Sequence, residues 1–169
     1  MLPCITLIAG CASPARPEGM IAQKVPRVEA SHDPVVVLVT GGAKTDPMWM
    51  SKIAADDFKN ALLESLRKSG LFKSAEAAGS GPYRLEVRLE VLHQPLMGFN
   101  MTVSLRADWR LMQSKEDREL WHERIVSSHT ATVGDAFAAV KRVRVANEGA
   151  ARKNIEEGLA KLAALEFKP

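Results

Sequence analysis

The side chains that could act as acids, bases or metal ligands are spread along this sequence without a pattern. Its four histidines are far apart: His32, His93, His122 and His129. On an unbroken strand, the odd spacing of His122 and His129 puts them on opposite faces of a sheet, so they predict no shared metal site. Ser127 and Ser128 lack the G-x-S-x-G turn that presents a nucleophilic serine. We therefore expect no catalytic residues, no metal and no cofactor.

Cysteine chemistry, in contrast, is indicated near the N-terminus. Leu7-Ile-Ala-Gly-Cys11 is a short apolar run that ends in two small residues and a cysteine, and it resembles the lipobox of bacterial lipoproteins. In such chains the cysteine thiol is joined to diacylglycerol, the preceding peptide is removed and the new amine is acylated. Cys11 is therefore the predicted lipidation site, and residues 1–10 are the predicted lipoprotein signal. No Lys or Arg precedes Cys11, so we expect this signal to be truncated at its N-terminus.

The residues after Cys11 support this interpretation against an accidental Gly-Cys pair in an ordinary apolar N-terminus. Residues 12–19 are small, polar and proline-rich, which predicts a flexible tether over residues 11–33 and a single periplasmic domain over residues 34–169. Ala12, rather than Asp, would be the second mature residue. In lipoproteins of this kind that favours the outer membrane over the inner one. We expect a lipid anchor on the periplasmic face of the outer membrane.

The composition limits what the domain can be. Without signal and tether, about 135 residues remain, which is the usual size of one domain. The two cysteines are Cys4 and Cys11, so neither a disulfide nor a thiolate metal site is available to the domain. The net charge of +3 is too small to indicate a nucleic-acid partner. No later apolar run approaches the ~18–20 residues of a membrane span, so the lipid is the expected membrane attachment.

Alternating apolar and polar residues predict a sheet with one wet face. Residues 35–40 are a β-branched run, which predicts a first strand buried on both faces. In the second strand the residues expected to face the core are Tyr83, Leu85, Val87, Leu89 and Val91. In the third strand they are Met101, Val103, Leu105, Ala107, Trp109 and Leu111. Residues 120–133 predict a fourth, more polar strand.

Two helices are predicted between and after these strands. The first is capped by Ser51 and ends at Gly70, with Leu71 in the contact that accompanies a left-handed glycine cap. The second runs from an N-cap at Asp135 to about residue 166, and Gly149 within it predicts a bend or a close approach to the sheet. The order β-α-β-β-β-α predicts an α+β two-layer sandwich, in which one mostly antiparallel four-stranded sheet carries both helices on one face.

Two loops are unusually apolar, since loops are normally polar. Following the chain direction, residues 41–50, 95–100 and 133–137 meet at one end of the sheet. We name the apolar residues of these loops the apolar rim: Met48, Trp49, Met50, Leu96, Met97, Phe99 and Phe137. With the tether entering at Pro34 on the opposite end, the rim is predicted to dock a membrane protein or an acyl chain at a distance from the anchor. The alternative is that four of these residues close the core: Trp49, Met97, Phe99 and Phe137.

A basic run at the start of the second helix is a further candidate for binding. Lys141, Arg142 and Arg144 could contact the anionic head groups of lipid A or phospholipids, where each cation contributes about 1 kcal/mol near a charged surface. The alternative is an ordinary solvated helix face. The spacing alone leaves both interpretations open.

The chain resembles the small proteobacterial lipoproteins that assist envelope machinery. The resemblance is one of plan and rests on residues 60–72 (NALLESLRKSGLF), 83–87 (YRLEV) and 146–155 (ANEGAARKNI). This group includes the auxiliary lipoproteins of lipid-exporting ABC systems and the lipoprotein component of the lipopolysaccharide (LPS) translocon. The matching segments are mainly structural. The resemblance therefore implies an envelope protein as partner and carries over no catalytic position.

These observations leave three classes of function. The first is a lipid-anchored, non-enzymatic periplasmic protein that binds or positions a partner in envelope assembly or lipid transport. The second is a carrier or sensor of a small amphiphile held between sheet and helices, which would require a cavity. The third is an enzyme with no recognisable motif. The lack of convergent catalytic residues favours the first class.

Overall fold

The computed structural model describes residues 12–28, 31–95 and 98–165, without the side chain of Val91. Cys11, Leu96 and Met97 lie outside these residues. The elements in chain order are α1 (Pro17–Met20), β1 (Val35–Gly41), α2 (Ala55–Ser69), β2 (Ala75–Glu76), β3 (Tyr83–His93), β4 (Met101–Gln113), β5 (Arg118–Ala131) and α3 (Ala139–Ala163).

The five strands form one open sheet in the order β2-β1-β3-β4-β5. β1 is parallel to both of its neighbours, whereas β3, β4 and β5 are joined antiparallel. The α+β class is therefore confirmed, but the described sheet has five strands rather than four and is mixed rather than mostly antiparallel. The additional strand, β2, contains only two residues at the sheet edge, too few to produce an alternating pattern in the sequence.

Both long helices pack on the same face of the sheet, and α1 packs against the two helices. Trp109 of β4 shows this arrangement, since its fully buried ring meets Phe58 of α2 edge-on at a centroid distance of 6.5 Å. The same ring lies against Gly158 of α3, where a Cβ would come within 2.6 Å of the ring carbon Cη2. One side chain thus touches both helices, as expected if they cover a single face.

The apolar stripe of β4 is buried throughout, as predicted. The stripe of β3 is buried at Leu85, Val87 and Leu89, but the pairing with β4 shifts between Leu89 and Val91. Such a bulge inserts one extra residue and reverses which side chains face the core. Leu92 consequently pairs with Leu105 and packs against the core. The predicted alternation therefore fails beyond Leu89.

The first strand is not buried on both faces as predicted. Val35, Val36 and Val37 are buried, but Leu38 is 41% exposed and Thr40 is exposed. These two side chains pair with Glu86 and Arg88 on the sheet face opposite α2 and α3. A continuous β-branched run usually indicates helices on both faces, but in the described residues the helices cover only one.

The helix ends agree with the sequence at one of three predicted caps. Gly70 ends α2 in the left-handed conformation, with φ of 65°, and Leu71 beyond it is buried. Ser51 does not cap α2, because the helix begins at Ala55 and Ser51 is fully buried. Asp135 does not cap α3 either, since its carboxylate accepts hydrogen bonds from the backbone and hydroxyl of Thr132 at 2.7 and 2.9 Å.

Gly149 of α3 gives the close approach that the sequence predicts. The ring of His129, on the inward side of β5, occupies the space where a Cβ at position 149 would lie. His122 lies on the outward side of the same strand, so the two histidines face opposite ways as expected. The glycine is required for helix and sheet to meet at this distance.

The residues after Cys11 do not form the predicted flexible tether. Between residues 12 and 28 the buried side chains are Ala12, Ala15, Met20 and Ala22. The backbone amide of Ala22 donates to Ser65 Oγ of α2 at 2.9 Å. The carboxylate of Glu156 in α3 accepts from the amides of Gln23 and Lys24 at 2.9 and 3.1 Å. The folded domain therefore includes residues 12–28, and the boundary at residue 34 is wrong.

Candidate functional site

The N-terminal segment, residues 12–28, runs beside α3 in the same direction. Its hydrogen-bond partners on that helix follow in order, with Ser13 bonded to Arg144, the Arg16 amide to Glu148 and the Gln23 amide to Glu156. The start of the segment is thus level with the start of α3. That is the end of the sheet where β1 and β3 finish and β4 begins, which we call the rim end.

Ala12 is fixed directly to a loop of the apolar rim. Its amide donates to the carbonyl of Pro47 at 2.9 Å, and the amide of Ala15 donates to the carbonyl of Lys52 at 3.2 Å. Met48 and Trp49 lie between these two contacts in the sequence. The prediction that the anchor lies opposite the rim is therefore wrong, because the chain before Pro34 folds back along the helices to the rim end.

The loops of the rim end are joined by two amide side chains, of which Asn147 is buried and Gln94 partly buried. Gln94 donates to the carbonyl of Ser51 at 2.6 Å and to Asn147 Oδ1 at 2.7 Å. Asn147 donates to the same carbonyl at 2.9 Å, and Lys52 Nζ donates to Gln94 Oε1 at 2.8 Å. These contacts connect the loop before α2, the end of β3 and α3. The sequence offers one signal for them, since Asn147 lies among apolar residues on its helix face.

Arg142 joins the other loops of the rim end. Its guanidinium donates to the carbonyls of Ala136 at 2.9 Å, Gly98 at 3.3 Å and Phe137. Arg142 is only 6% exposed. The prediction that it contacts lipid head groups is therefore wrong, because the guanidinium is buried and used within the protein.

Arg144 and Lys141, the other two cations of the basic run, differ in burial. Arg144 is largely buried; its Nη1 donates to Ser13 Oγ at 2.8 Å and its Nε lies 3.6 Å from Glu148. It therefore holds the N-terminal segment and is not placed for head groups as predicted. Lys141 is exposed in the first turn of α3 and stays a candidate for such a contact.

The described residues of the apolar rim point into solvent. Met48 is 93% exposed, Trp49 69%, Phe99 84% and Phe137 91%, whereas Met50 is partly buried. Trp49, Phe99 and Phe137 therefore do not close the core, which was the alternative interpretation. Four large apolar side chains exposed at one end of a domain are unusual for a surface with no binding role.

The sheet face opposite the helices carries a second candidate surface, the open face. It holds a shallow depression of about 490 Å³ whose sides include Leu38, Arg88, Arg110 and Arg124. Asp108 lies at its centre, with His122 Nε2 3.0 Å from both carboxylate oxygens and the Nε atoms of Arg110 and Arg124 at 3.6 and 3.9 Å. Three arginines and three acids line the depression, so charges of both signs surround the nearly buried Asp108, which suits a polar binding surface.

A smaller recess lies near the rim end. It has a volume of about 220 Å³ and is lined in part by Gly42, Lys52, Ile53 and Leu92. Ligand pockets usually measure about 300–1,000 Å³. Between sheet and helices, the fully buried rings of Phe58 and Trp109 fill the centre of the domain. The recess therefore gives little support to a carrier of amphiphiles.

Two titratable groups have pKa values that are shifted by their structural surroundings. Burial, with Lys153 and Arg152 nearby, lowers the pKa of His129, which packs on Gly149. Burial and the charge of Asp56 raise the pKa of Asp57.

Within the described ranges, no group of three or more His, Cys, Asp or Glu side chains is placed to hold a metal ion. No helix there combines the length and apolar character needed to cross a bilayer.

No family model matches this chain, and no curated protein matches its sequence. The fold is shared with solved structures. Protein XCC0632 from Xanthomonas campestris, of the family DUF330, has a TM-score of 0.61 at 12% identity over 90% of this chain and 92% of that one. The PelC dodecamer from Paraburkholderia phytofirmans has a TM-score of 0.54 at 14% identity over 85% and 96%.

A third structure with this fold is a minor lipoprotein from Acinetobacter baumannii. Its TM-score is 0.50 at 11% identity, over 82% of this chain and 94% of that one. At such identities the likeness shows the fold alone. The chain therefore has a small α+β fold that a bacterial lipoprotein also adopts.

Proposed function

We propose that this protein is a lipid-anchored envelope protein that binds and positions a protein partner and has no catalytic role of its own. The observation that carries the proposal is the position of Ala12. It is buried against the loop that carries the exposed Met48 and Trp49. A lipid on Cys11 would therefore leave the domain at a defined point, without a long linker.

The comparisons support the same proposal at the level of the fold, since a protein named a minor lipoprotein from Acinetobacter baumannii shares it. The finer parts of the proposal rest on the sequence. Ala12 after Cys11 favours the periplasmic face of the outer membrane. The resemblance to ABC-transport auxiliary lipoproteins and to the LPS translocon lipoprotein favours a partner in lipid transport or envelope assembly.

The open face is the surface that we assign to this protein partner. It is flanked by arginines, which are enriched at protein interfaces, and includes the exposed apolar residues Leu38 and Val126. Asp108 is nearly buried beneath it and holds the surrounding cations in place. The sequence alone favoured the rim as the partner surface. The rim, however, adjoins the proposed anchor and would face the membrane.

The anchor is tested by expressing the full chain in a bacterial host, with any upstream start restored, and measuring the mass of the N-terminal peptide. We expect the mass of an acylated Cys11 and loss of membrane partitioning in Cys11→Ala. A protein that partitions equally well after Cys11→Ala would contradict the anchor.

The partner surface is tested by photocrosslinking in the native host. A photoreactive amino acid is placed at Leu38 on the open face and, as a matched control, at Glu157 on the exposed side of α3. We expect a discrete protein adduct from position 38 and none from position 157. Equal adducts from both positions, or none from position 38, would move the partner away from the open face.

A further inference from the structure

We propose that the apolar rim is a membrane-docking surface, in which Met48, Trp49, Phe99 and Phe137 enter the interfacial layer of the bilayer that holds the lipid of Cys11. This inference rests on the proposed function, because it takes Cys11 as the anchor. It adds that the domain lies with one end against the membrane.

Cys11 lies one residue from the part of the chain that is fixed at the rim. Cys11 is bonded to Ala12, and consecutive Cα atoms are about 3.8 Å apart. Ala12 is itself held by the carbonyl of Pro47, next to Met48 in the rim. Acyl chains on Cys11 would therefore start one residue beyond Ala12, close to the exposed Met48 and Trp49.

The segment between Cys11 and the domain is bound to the helices and provides no flexible linker. Residues 12–28 are tied to α2 and α3 by the hydrogen bonds of Ser13, Arg16, Ala22 and Gln23. The domain can move away from the membrane only if these contacts break. As long as they hold, the rim end is the part of the domain nearest to the lipid head groups.

The exposed side chains of the rim are of the types found at membrane surfaces. Tryptophan is enriched at the membrane–water interface, and phenylalanine and methionine bury apolar surface there. Arg142 holds the backbone beside Phe99 and Phe137, and Gln94 holds the loop that follows Trp49. The loops are therefore preorganised to present these side chains, which lowers the entropic cost of docking.

Charge contributes less than apolar contact to this surface. Lys44 and Lys141 are exposed near the rim, but so are Asp46 and Asp135. The two carboxylates accept hydrogen bonds within their own loops, from the amide of Met48 and from Thr132. Because the charges are mixed, we expect docking on a zwitterionic bilayer without anionic lipid.

The test uses the full-length acylated protein in phosphatidylcholine vesicles, with and without bromine atoms on the lipid acyl chains. Bromine quenches tryptophan that enters the bilayer, and the emission of Trp49 is the difference between the wild type and Trp49→Phe. Further tryptophans are introduced into the Trp49→Phe background by Phe99→Trp on the rim and by Val126→Trp on the open face. Val126 is a matched control because it is also apolar and exposed.

We expect brominated lipid to remove most of the emission of Trp49 and of the tryptophan at position 99, and to leave the tryptophan at position 126 unchanged. If Trp49 and the tryptophan at position 99 behave like position 126 in acylated protein, docking is overturned while the proposed anchor stands. If mass measurement shows no lipid on Cys11, the anchor fails. The quenching is then measured on Cys4→Ser protein coupled through Cys11 to a maleimide lipid, where quenched rim tryptophans support docking and unquenched ones overturn it.

Discussion

Trp109 and Trp49 place the same side chain in opposite surroundings. Trp109 is fully buried between the sheet and both helices, and its indole N–H donates to Asn154 Oδ1 at 2.9 Å. Trp49 is 69% exposed on a loop of the apolar rim. A buried tryptophan contributes to stability, whereas an exposed one at a preorganised end of the domain is available for the membrane contact proposed above. Trp109 therefore belongs to the core that stabilises the fold, whereas Trp49 belongs to the surface proposed to contact the membrane.

The largest expected effect is that of Trp109→Ala. Removing a fully buried indole leaves a cavity between Phe58 and Gly158, and such losses cost about 3–5 kcal/mol in the free energy of unfolding. Urea unfolding followed by circular dichroism measures it. The matched control is Arg110→Ala on the open face, for which we expect less than about 1 kcal/mol. Equal losses would show that the two faces have been assigned wrongly.

Asn154→Ala should come next, because Asn154 satisfies the buried polar atoms around Trp109. It accepts from the indole and donates to the carbonyl of Ile125 at 3.2 Å. Leaving these partners unsatisfied should cost about 1–3 kcal/mol in the same unfolding experiment. Lys153→Ala, one residue away and exposed, is the control and should change the free energy of unfolding little. A loss no larger than that of the control would mean that water replaces the amide.

Glu156→Ala should loosen the N-terminal segment without unfolding the domain. Its carboxylate accepts from the amides of Gln23 and Lys24, and two such bonds contribute on the order of 1–2 kcal/mol. We expect faster limited proteolysis at Lys24 and Arg27, measured by mass spectrometry. Glu157→Ala is the control, since Glu157 pairs with the exposed Lys161 instead. Unchanged cleavage at these sites would indicate that apolar contacts alone hold the segment.

Changing the rim should leave the fold intact. We expect the double variant Met48→Ser, Phe99→Ser to alter the free energy of unfolding by less than about 0.5 kcal/mol, since exposed side chains contribute little. Thermal unfolding of the soluble protein measures this. A midpoint several degrees lower would mean that rim residues pack in solution more closely than their exposure indicates.

The smallest effect concerns pH. His129 has its pKa lowered below the ordinary value of 6.5 by burial and by Lys153 and Arg152. The native state then favours the neutral ring, so its contribution to stability is complete above that value and is lost as the pH falls through the folded pKa. We expect His129→Gln to lose less stability than the wild type on acidification from about pH 7 to about pH 5. Ser128→Ala, on the outward side of β5, should keep the wild-type dependence.

The sequence predicted those parts of the fold that depend on local patterns. The stripe of β4, the glycine cap at Gly70 and the close approach at Gly149 follow from side-chain alternation and from the special backbone freedom of glycine. The bulge after Leu89 could not be predicted, because it depends on pairing with β4. The exposure of Leu38 likewise depends on which sheet face the helices leave open.

The sequence singled out the exposed residues of the apolar rim but not their surroundings. Trp49, Phe99 and Phe137 stand out because apolar residues are unusual in loops. Their relation to the anchor depends on the path of residues 12–28, whose prolines and small residues are typical of a flexible linker. Met20 and Ile21 are large apolar residues in this stretch and were the sign in the sequence that the segment packs, since Met20 is fully buried. Arg142 was misassigned because a charge run does not reveal which member is buried.

If Cys11 carries a lipid, as proposed, the bound N-terminal segment also sets how far the domain could extend from the membrane. While this segment is bound along α3, the domain would lie against the bilayer and could contact only partners within its own height above it. Releasing this segment from the helices would free about 17 residues, which can span roughly 56–61 Å when extended. The contacts of Glu148 and Glu156 with this segment would therefore limit the distance between the domain and the membrane for as long as they hold.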